Sequence, residues 1–144
     1  MSTMSCVGFY DGAEVSWIEV WYDGYPEGVG KVLVDHYTAP DAIRALLRRG
    51  ELVSLGATPE ASERDESGHP YDTVTAPTLE AAFARMGELA RGWIEFMYIY
   101  YNAQWHYVDV WRDIWEENER PGGPRDHWEW TVRPVKTFFE EKET

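Results

Sequence analysis

The stretch Trp93-Ile-Glu-Phe-Met-Tyr-Ile-Tyr-Tyr101, followed by Asn102-Ala103 and Gln104-Trp-His-Tyr-Val-Asp-Val-Trp111, predicts a β-hairpin. Both arms are rich in aromatic and β-branched residues, which favour strands. Asn at the first loop position tolerates the positive φ of a two-residue turn, although Ala at the second position is less usual than Gly. Alternation places Trp105, Tyr107, Asp109 and Trp111 on one side of the second arm and His106, Val108 and Val110 on the other.

A second hairpin is predicted near the start of the chain. Val7-Gly-Phe-Tyr10 and Val15-Ser-Trp-Ile-Glu-Val-Trp-Tyr22 are separated by Asp11-Gly12, a dipeptide typical of tight turns. The second run carries bulky apolar residues at both parities, with Glu19 on the same parity as Trp17 and Trp21. This pattern indicates a strand that is covered on part of each face.

The remaining periodic segments predict helices and short strands. Apolar residues recur at helical spacing over 29–37, and Pro40 and Gly50 bracket a clearer helix over 40–49. A third helix over 78–90 begins at Thr78 as its N-cap. Short strands are predicted at 73–75 and 128–133, and a closing helix or tail at 135–142. We therefore expect an α+β fold, with an antiparallel sheet of about four to six strands and two or three helices packed on one face.

A chain of 144 residues is the size of one domain, so we assign residues 1–144 to a single unit. Residues 57–72 are rich in Glu, Ser, Thr and Pro, which predicts an exposed loop. Residues 112–144, interrupted by Pro121-Gly-Gly-Pro124, are predicted to be an added C-terminal segment.

The net charge of −13, from 26 acidic and 13 basic residues, limits the possible partners. Such a charge repels nucleic acid and anionic membranes and attracts basic surfaces. We therefore expect a protein partner with a basic surface and no direct contact with nucleic acid or membrane. The candidate partner-binding residues are Glu14, Glu19, Asp23, Glu27, Glu63, Asp65 and Glu66.

No pattern in the sequence predicts catalysis, a metal site or a cofactor. The four histidines (His36, His69, His106 and His127) lack metal-ligand spacing, and the lone Cys6 is predicted to be a buried strand residue. Gly28-Val-Gly30-Lys31 lacks the spacing of a phosphate-binding loop. The protein is therefore predicted not to be an enzyme. Without a leader pattern or a long apolar run, we expect a cytoplasmic location.

Asp23-Gly-Tyr-Pro-Glu-Gly-Val-Gly30, between the aromatic strand that ends at Tyr22 and a helix that ends near Tyr37, resembles the opening of a family of small uncharacterised proteins of bacteriophages and mobile elements. The resemblance covers about residues 7–111. Family members carry a short basic stretch after the Asp-Thr-Val segment, whereas this chain has the helix over 78–90. The resemblance implies a phage or prophage accessory gene and transfers no catalytic residue.

Three kinds of function are compatible with these observations. The first is an acidic phage-type protein that binds and inhibits a host protein in the host cytoplasm, by analogy with anti-CRISPR and anti-restriction proteins that imitate nucleic acid. The second is a small ligand-binding module or enzyme with an aromatic pocket lined by Trp17, Trp93, Tyr98 and Trp105. A phage structural or assembly protein is a third alternative.

Overall fold

The computed structural model describes residues 3–110, 112–113 and 131–142. Its strands are β1 (Met4–Tyr10), β2 (Glu14–Val20), β3 (Leu52–Ser54), β4 (Glu63–Arg64), β5 (Asp72–Thr75), β6 (Ile94–Tyr101), β7 (Gln104–Asp109) and β8 (Arg133–Pro134). Its helices are α1 (Lys31–His36), α2 (Pro40–Arg48), α3 (Leu79–Leu89) and α4 (Val135–Lys142), with a π-helical segment at Pro26–Gly30 leading into α1.

The sheet is larger than predicted and it is mixed. Its eight described strands follow the order β4-β3-β2-β1-β6-β7-β8, and β5 pairs with the first half of β2. The two central strands, β1 and β6, run parallel to each other, as do β2 and β3. The α+β class is confirmed, whereas the expectation of an antiparallel sheet with four to six strands is wrong.

Both predicted hairpins are confirmed. β1 and β2 pair antiparallel, and the Asp11 carboxylate closes their turn by accepting hydrogen bonds from the backbone N–H groups of Ala13 and Glu14 at 2.8 and 2.7 Å. β6 and β7 are joined by Asn102 and Ala103, whose φ angles are 55° and 62°. Two successive positive φ angles are the conformation of a type I′ turn, which matches the twist of the strands.

Helices cover both faces of the sheet rather than one. On the first face, α1, α2 and α4 pack over a cluster that includes Val7, Ile18, Leu33, Leu46, Tyr98 and Val135. On the second face, α3 packs over a cluster that includes Cys6, Trp17, Phe83, Met86, Met97 and Ile99. The central strands carry apolar side chains at both parities, so each face has a core to bury. The prediction that Cys6 is buried is confirmed.

The ends of the helices follow the local sequence. Thr78 caps α3, with its hydroxyl accepting a hydrogen bond from the N–H of Ala81 at 3.1 Å. Pro40 occupies the first turn of α2, and Gly50 follows the helix with a φ of 77°, which a residue with a Cβ rarely adopts. The predicted helix over 29–37 is present in part as α1, after the π-helical segment.

Two segments predicted to be peripheral contribute to the sheet. The 57–72 segment is exposed at most of its side chains, but it includes β4 and the buried Ser62. Of the predicted C-terminal segment, β8 pairs with β7, and Val135 of α4 is fully buried in the first core. The first half of the predicted strand over 128–133 (residues 128–130), together with His127, lies outside the described residues.

Candidate functional site

A cleft of about 360 Å³ opens where the end of β2 faces the turn between α3 and β6. On one wall, Trp21 and Tyr22 continue the direction of β2, because their backbone N–H groups bond to the carbonyl oxygens of Leu52 and Val53 at 3.0 and 3.1 Å. On the other wall, Gly92 turns the chain into β6 with a φ of 79°. We call this site the Arg91 cleft; it is lined by Met4, Trp21, Tyr22, Glu51, Arg91 and Gly92.

Two carboxylates lie beside the guanidinium of Arg91, and a third belongs to the lining of the same cleft. Asp72 on β5 lies 3.0 Å from Nη1 of Arg91, and Glu19 on β2 lies 3.9 Å from the same nitrogen. Glu19 also accepts a hydrogen bond from the backbone N–H of Arg91 at 3.1 Å. Glu51, at the cleft wall, accepts a hydrogen bond from the indole of Trp21 at 3.0 Å. With every group ionised, three negative charges against one positive charge leave this part of the protein acidic.

Glu19 is the most unusual of these groups, because only 1% of its surface is exposed. Burial raises the pKa of Glu19, the contacts with Arg91 oppose that effect, and the nearby charges of Asp72 and Glu51 add to it. Its second carboxylate oxygen, Oε2, has no hydrogen-bond partner among the residues that the structure describes. A buried carboxylate is tolerated only where a cation or hydrogen-bond donors compensate for the lost hydration. Arg91 therefore stabilises the buried charge of Glu19.

One exposed aromatic side chain lines the Arg91 cleft, and other exposed aromatic and aliphatic side chains lie close to its lining residues in sequence. Tyr22 lines it, Tyr25 follows in the next turn, and Trp93 comes directly after the lining residue Gly92 with 64% of its surface exposed. Leu89, also exposed, ends α3 just before Arg91. Large apolar groups at the surface beside charged ones are typical of protein interaction sites.

The seven predicted partner-binding residues do not form one surface. Glu14 begins β2, so six residue steps of about 3.3 Å place it roughly 20 Å from the far end of that strand. Asp23 and Glu27 are exposed at that far end, where Asp23 accepts a hydrogen bond from the hydroxyl of Tyr25 at 3.1 Å. Glu63 is exposed on β4, and Asp65 and Glu66 follow it. The assignment of Glu19 to a contact surface is wrong, because its side chain is buried.

Sequence reasoning missed Glu51 and Arg91 as members of the site. Neither residue lies in a motif, and the chain brings them to β2 from 32 and 72 residues away (51 − 19 and 91 − 19). One local signal did exist. Glu19 shares its parity with Trp17 and Trp21 in a strand that is apolar on both faces, a pattern that indicates a buried carboxylate in need of a cation.

The predicted aromatic pocket is not present. Trp17 lies in the core on the α3 side of the sheet, whereas Tyr98 and Trp105 lie in the core on the opposite side. The hydroxyl of Tyr98 and the indole of Trp105 donate to the carbonyl oxygens of Gly24 and Tyr37 at 2.7 and 2.8 Å. These side chains hold the π-helical segment and α1 to the sheet, and only Trp93 of the predicted set is exposed.

Within the described ranges, no group of three His, Cys, Asp or Glu residues is placed to hold a metal ion. His36 and His69 are exposed, and His106 is half buried on β7. The helices of the described part of the chain are all too short or too polar to cross a membrane. Comparison of the chain with protein-family models, curated proteins and solved structures finds no match.

Proposed function

We propose that this protein binds a basic surface of another protein through the Arg91 cleft and the exposed aromatic residues around it. The observation that carries the proposal is that the exposed Tyr22 and the carboxylate of Glu51 line one cleft, directly before the exposed Asp23. The exposed Tyr25 and Trp93 lie close in sequence to the lining residues Tyr22 and Gly92. Aromatic side chains supply binding energy at the centre of protein interfaces, and carboxylates beside them select cationic partners. An arginine or lysine side chain of the partner matches both features.

The charge of the whole molecule supports the same kind of partner. A net charge of −13 accelerates the encounter with a basic protein, because long-range attraction steers the two molecules together. Asp23 and Glu27 extend the acidic character beyond the cleft, along the turn that carries Tyr25. The same charge disfavours direct binding to nucleic acid, whose phosphates it repels.

In its finer form, the proposal is that the partner is a nucleic-acid-handling protein of a host cell and that binding inhibits it. A basic groove that holds nucleic acid is the kind of protein surface that an acidic protein can occupy. The resemblance of the Asp23–Gly30 motif to phage proteins supports a host context, and a cytoplasmic location in the host belongs to the same proposal.

The test is affinity purification of partners from bacterial lysate, compared quantitatively between the wild type and matched variants. The variant Asp23→Asn with Glu27→Gln removes two charges beside the cleft; Asn suits the φ of 58° at position 23 and still accepts a hydrogen bond from Tyr25. The control Glu80→Gln with Glu140→Gln removes two exposed charges elsewhere, from α3 and α4.

We expect the partner to be lost with the first pair and retained with the control pair. Binding should also weaken between about 0.1 M and about 1 M salt, because the screening length falls from about 10 Å to about 3 Å. For the aromatic contribution, Trp93→Ser should weaken binding by about tenfold or more, whereas Tyr71→Ser, at an exposed tyrosine outside the cleft lining, should not. Equal retention by all four variants would contradict the proposal.

A further inference from the structure

A second concave site differs from the Arg91 cleft in its charges, because two arginines line it together with acids. It is a groove of about 250 Å³ between α2 and the paired strands β2 and β5. We call it the Arg44 groove. The lining residues used below are Phe9, Ser16, Arg44, Arg48, Tyr71 and Thr73, together with the acids Asp11 and Glu14.

The two arginines of the groove have no ion-pair partner within the part of the chain that the structure describes. Arg44 and Arg48 are four residues apart on α2, so they occupy the same side of the helix, where like charges destabilise it slightly. In contrast, Arg85, Arg91 and Arg133 all form ion pairs. In a chain with twice as many acids as bases, two adjacent arginines that form no ion pair with any described residue indicate a place for an anion that is not part of the protein.

The guanidinium of Arg44 packs over an aromatic ring, and the charge of Asp11 lies close enough to act on it. It lies over Phe9 with 5.1 Å between the guanidinium carbon and the ring centroid. The Asp11 carboxylate lines the same groove, but one of its oxygens is engaged by two backbone N–H groups of the β1–β2 turn. Arg44 is therefore positioned by stacking, and its N–H donors remain available to a ligand.

Neutral groups complete the groove. The hydroxyls of Ser16 and Thr73 lie 2.8 Å apart, at paired positions of β2 and β5. Whichever hydroxyl donates to the other, the acceptor of that bond keeps its own proton for a ligand. Tyr71 presents a side chain that is 47% exposed, which offers a face for a planar group.

We propose that the Arg44 groove binds a small phosphorylated ligand that carries a planar ring, of the size of a mononucleotide. Arg44 and Arg48 would hold the phosphate through charged hydrogen bonds, and the ring would stack on Tyr71. Asp11 and Glu14, in the same lining, would accept hydrogen bonds from hydroxyl or amino groups of the ligand. The volume lies just below the range of about 300–1,000 Å³ that is typical of ligand pockets, which favours a single nucleotide over a dinucleotide.

This site does not depend on the protein-binding proposal, since its lining residues are separate from those of the Arg91 cleft. The test is a titration of the full chain with adenosine monophosphate, with adenosine and with inorganic phosphate. Binding is measured by calorimetry and by the NMR chemical shifts of the backbone amides. We expect saturable binding of the nucleotide, competition by inorganic phosphate, and weaker binding of adenosine.

Matched variants locate the bound phosphate and ring. Arg44→Gln with Arg48→Gln should weaken nucleotide binding by about tenfold or more. Arg64→Gln with Arg112→Gln, which removes two exposed arginines elsewhere, should leave it unchanged. Tyr71→Ser should weaken the nucleotide by about fivefold or more and leave inorganic phosphate unaffected.

Three results would overturn the assignment. They are the absence of saturable nucleotide binding to the wild type, equal weakening by the two arginine pairs, and adenosine binding as tight as that of the nucleotide. All these substitutions are at exposed side chains, and circular dichroism of each variant verifies that it is folded.

Discussion

Replacing Arg91 with alanine should destabilise the protein through Glu19 more than through Asp72. At 3.9 Å, the attraction between the charges of Glu19 and Arg91 is about 1 kcal/mol in water and about 4 kcal/mol at the effective dielectric constant of a protein surface. The Arg91 side chain is 44% exposed, so the lower part of that range applies, about 1–2 kcal/mol. The more exposed pair with Asp72 adds at most about 1 kcal/mol.

The pH dependence follows from the burial of Glu19. Burial raises the pKa of Glu19 in the folded state, so the protonated side chain favours folding. This contribution to the free energy of unfolding is fully present below the unfolded pKa of about 4.3 and is lost as the pH rises through the folded pKa. Removing Arg91 raises that pKa further. The variant should therefore be most destabilised at neutral pH, and the difference from the wild type should shrink as the pH falls toward about 5.

The assay is urea unfolding, followed by tryptophan fluorescence, of the wild type, Arg91→Ala, Glu19→Gln and the double variant at both pH values. With Gln at position 19, the loss of Arg91 should cost about 1 kcal/mol or less, which gives a coupling free energy of about 1–2 kcal/mol between Glu19 and Arg91. An equal cost in both backgrounds and at both pH values would refute the reasoning, because it would mean that Arg91 stabilises the fold without compensating the charge of Glu19.

Three further predictions concern the core and the helices. Tyr98→Phe should lower the free energy of unfolding by about 1–2 kcal/mol, measured by urea unfolding, because it leaves the carbonyl of Gly24 without its buried donor. Gly87→Ala, at an exposed position inside α3, should raise that free energy by about 0.5–1 kcal/mol and raise the Tm in calorimetry. The Cys6 thiol, whose pKa is raised by burial and by the charge of Glu19, should react with a thiol-specific chromogenic reagent only under denaturing conditions.

The local elements could be predicted because their signals are local. Asp11-Gly12 and Asn102-Ala103 each lie between two runs of strand-forming residues, and the turn geometry alone fixes which strands they join. Thr78 and Pro40 mark the starts of helices by the same kind of short-range chemistry. Element type and hairpin pairing were therefore accessible before any long-range contact was known.

The way in which the two hairpins join into one sheet could not be predicted from the sequence. β1 and β6 meet edge to edge in parallel, and no residue near either strand encodes which edges pair or in which direction. The apolar residues at both parities of β2 indicated two covered faces, yet the expectation placed all the helices on one. Short strands such as β3 and β4 carry too few residues for alternation to be detected.

Prediction of the candidate site was limited for the same reason. Acidic residues can be counted in a sequence, but their exposure depends on what packs above them. The sequence predicts Glu19 to be a surface charge, whereas the structure buries it beside the turn that carries Arg91. The exposure of Asp23 and Glu27 follows from their position in a turn between elements, where side chains usually face water.

The parallel pairing of β1 with β6 has a consequence for the synthesis of the protein. Cys6 pairs with Met97, so 91 residues (97 − 6) must leave the ribosome between the two partners. At about 5–20 residues per second, β1 waits for roughly 5–20 seconds with one edge unpaired. During that interval the nascent chain exposes an apolar strand edge of the kind that other chains can pair with. We expect the protein to depend on chaperones while it is made, and folding after release to be slow because its central contacts are distant in sequence.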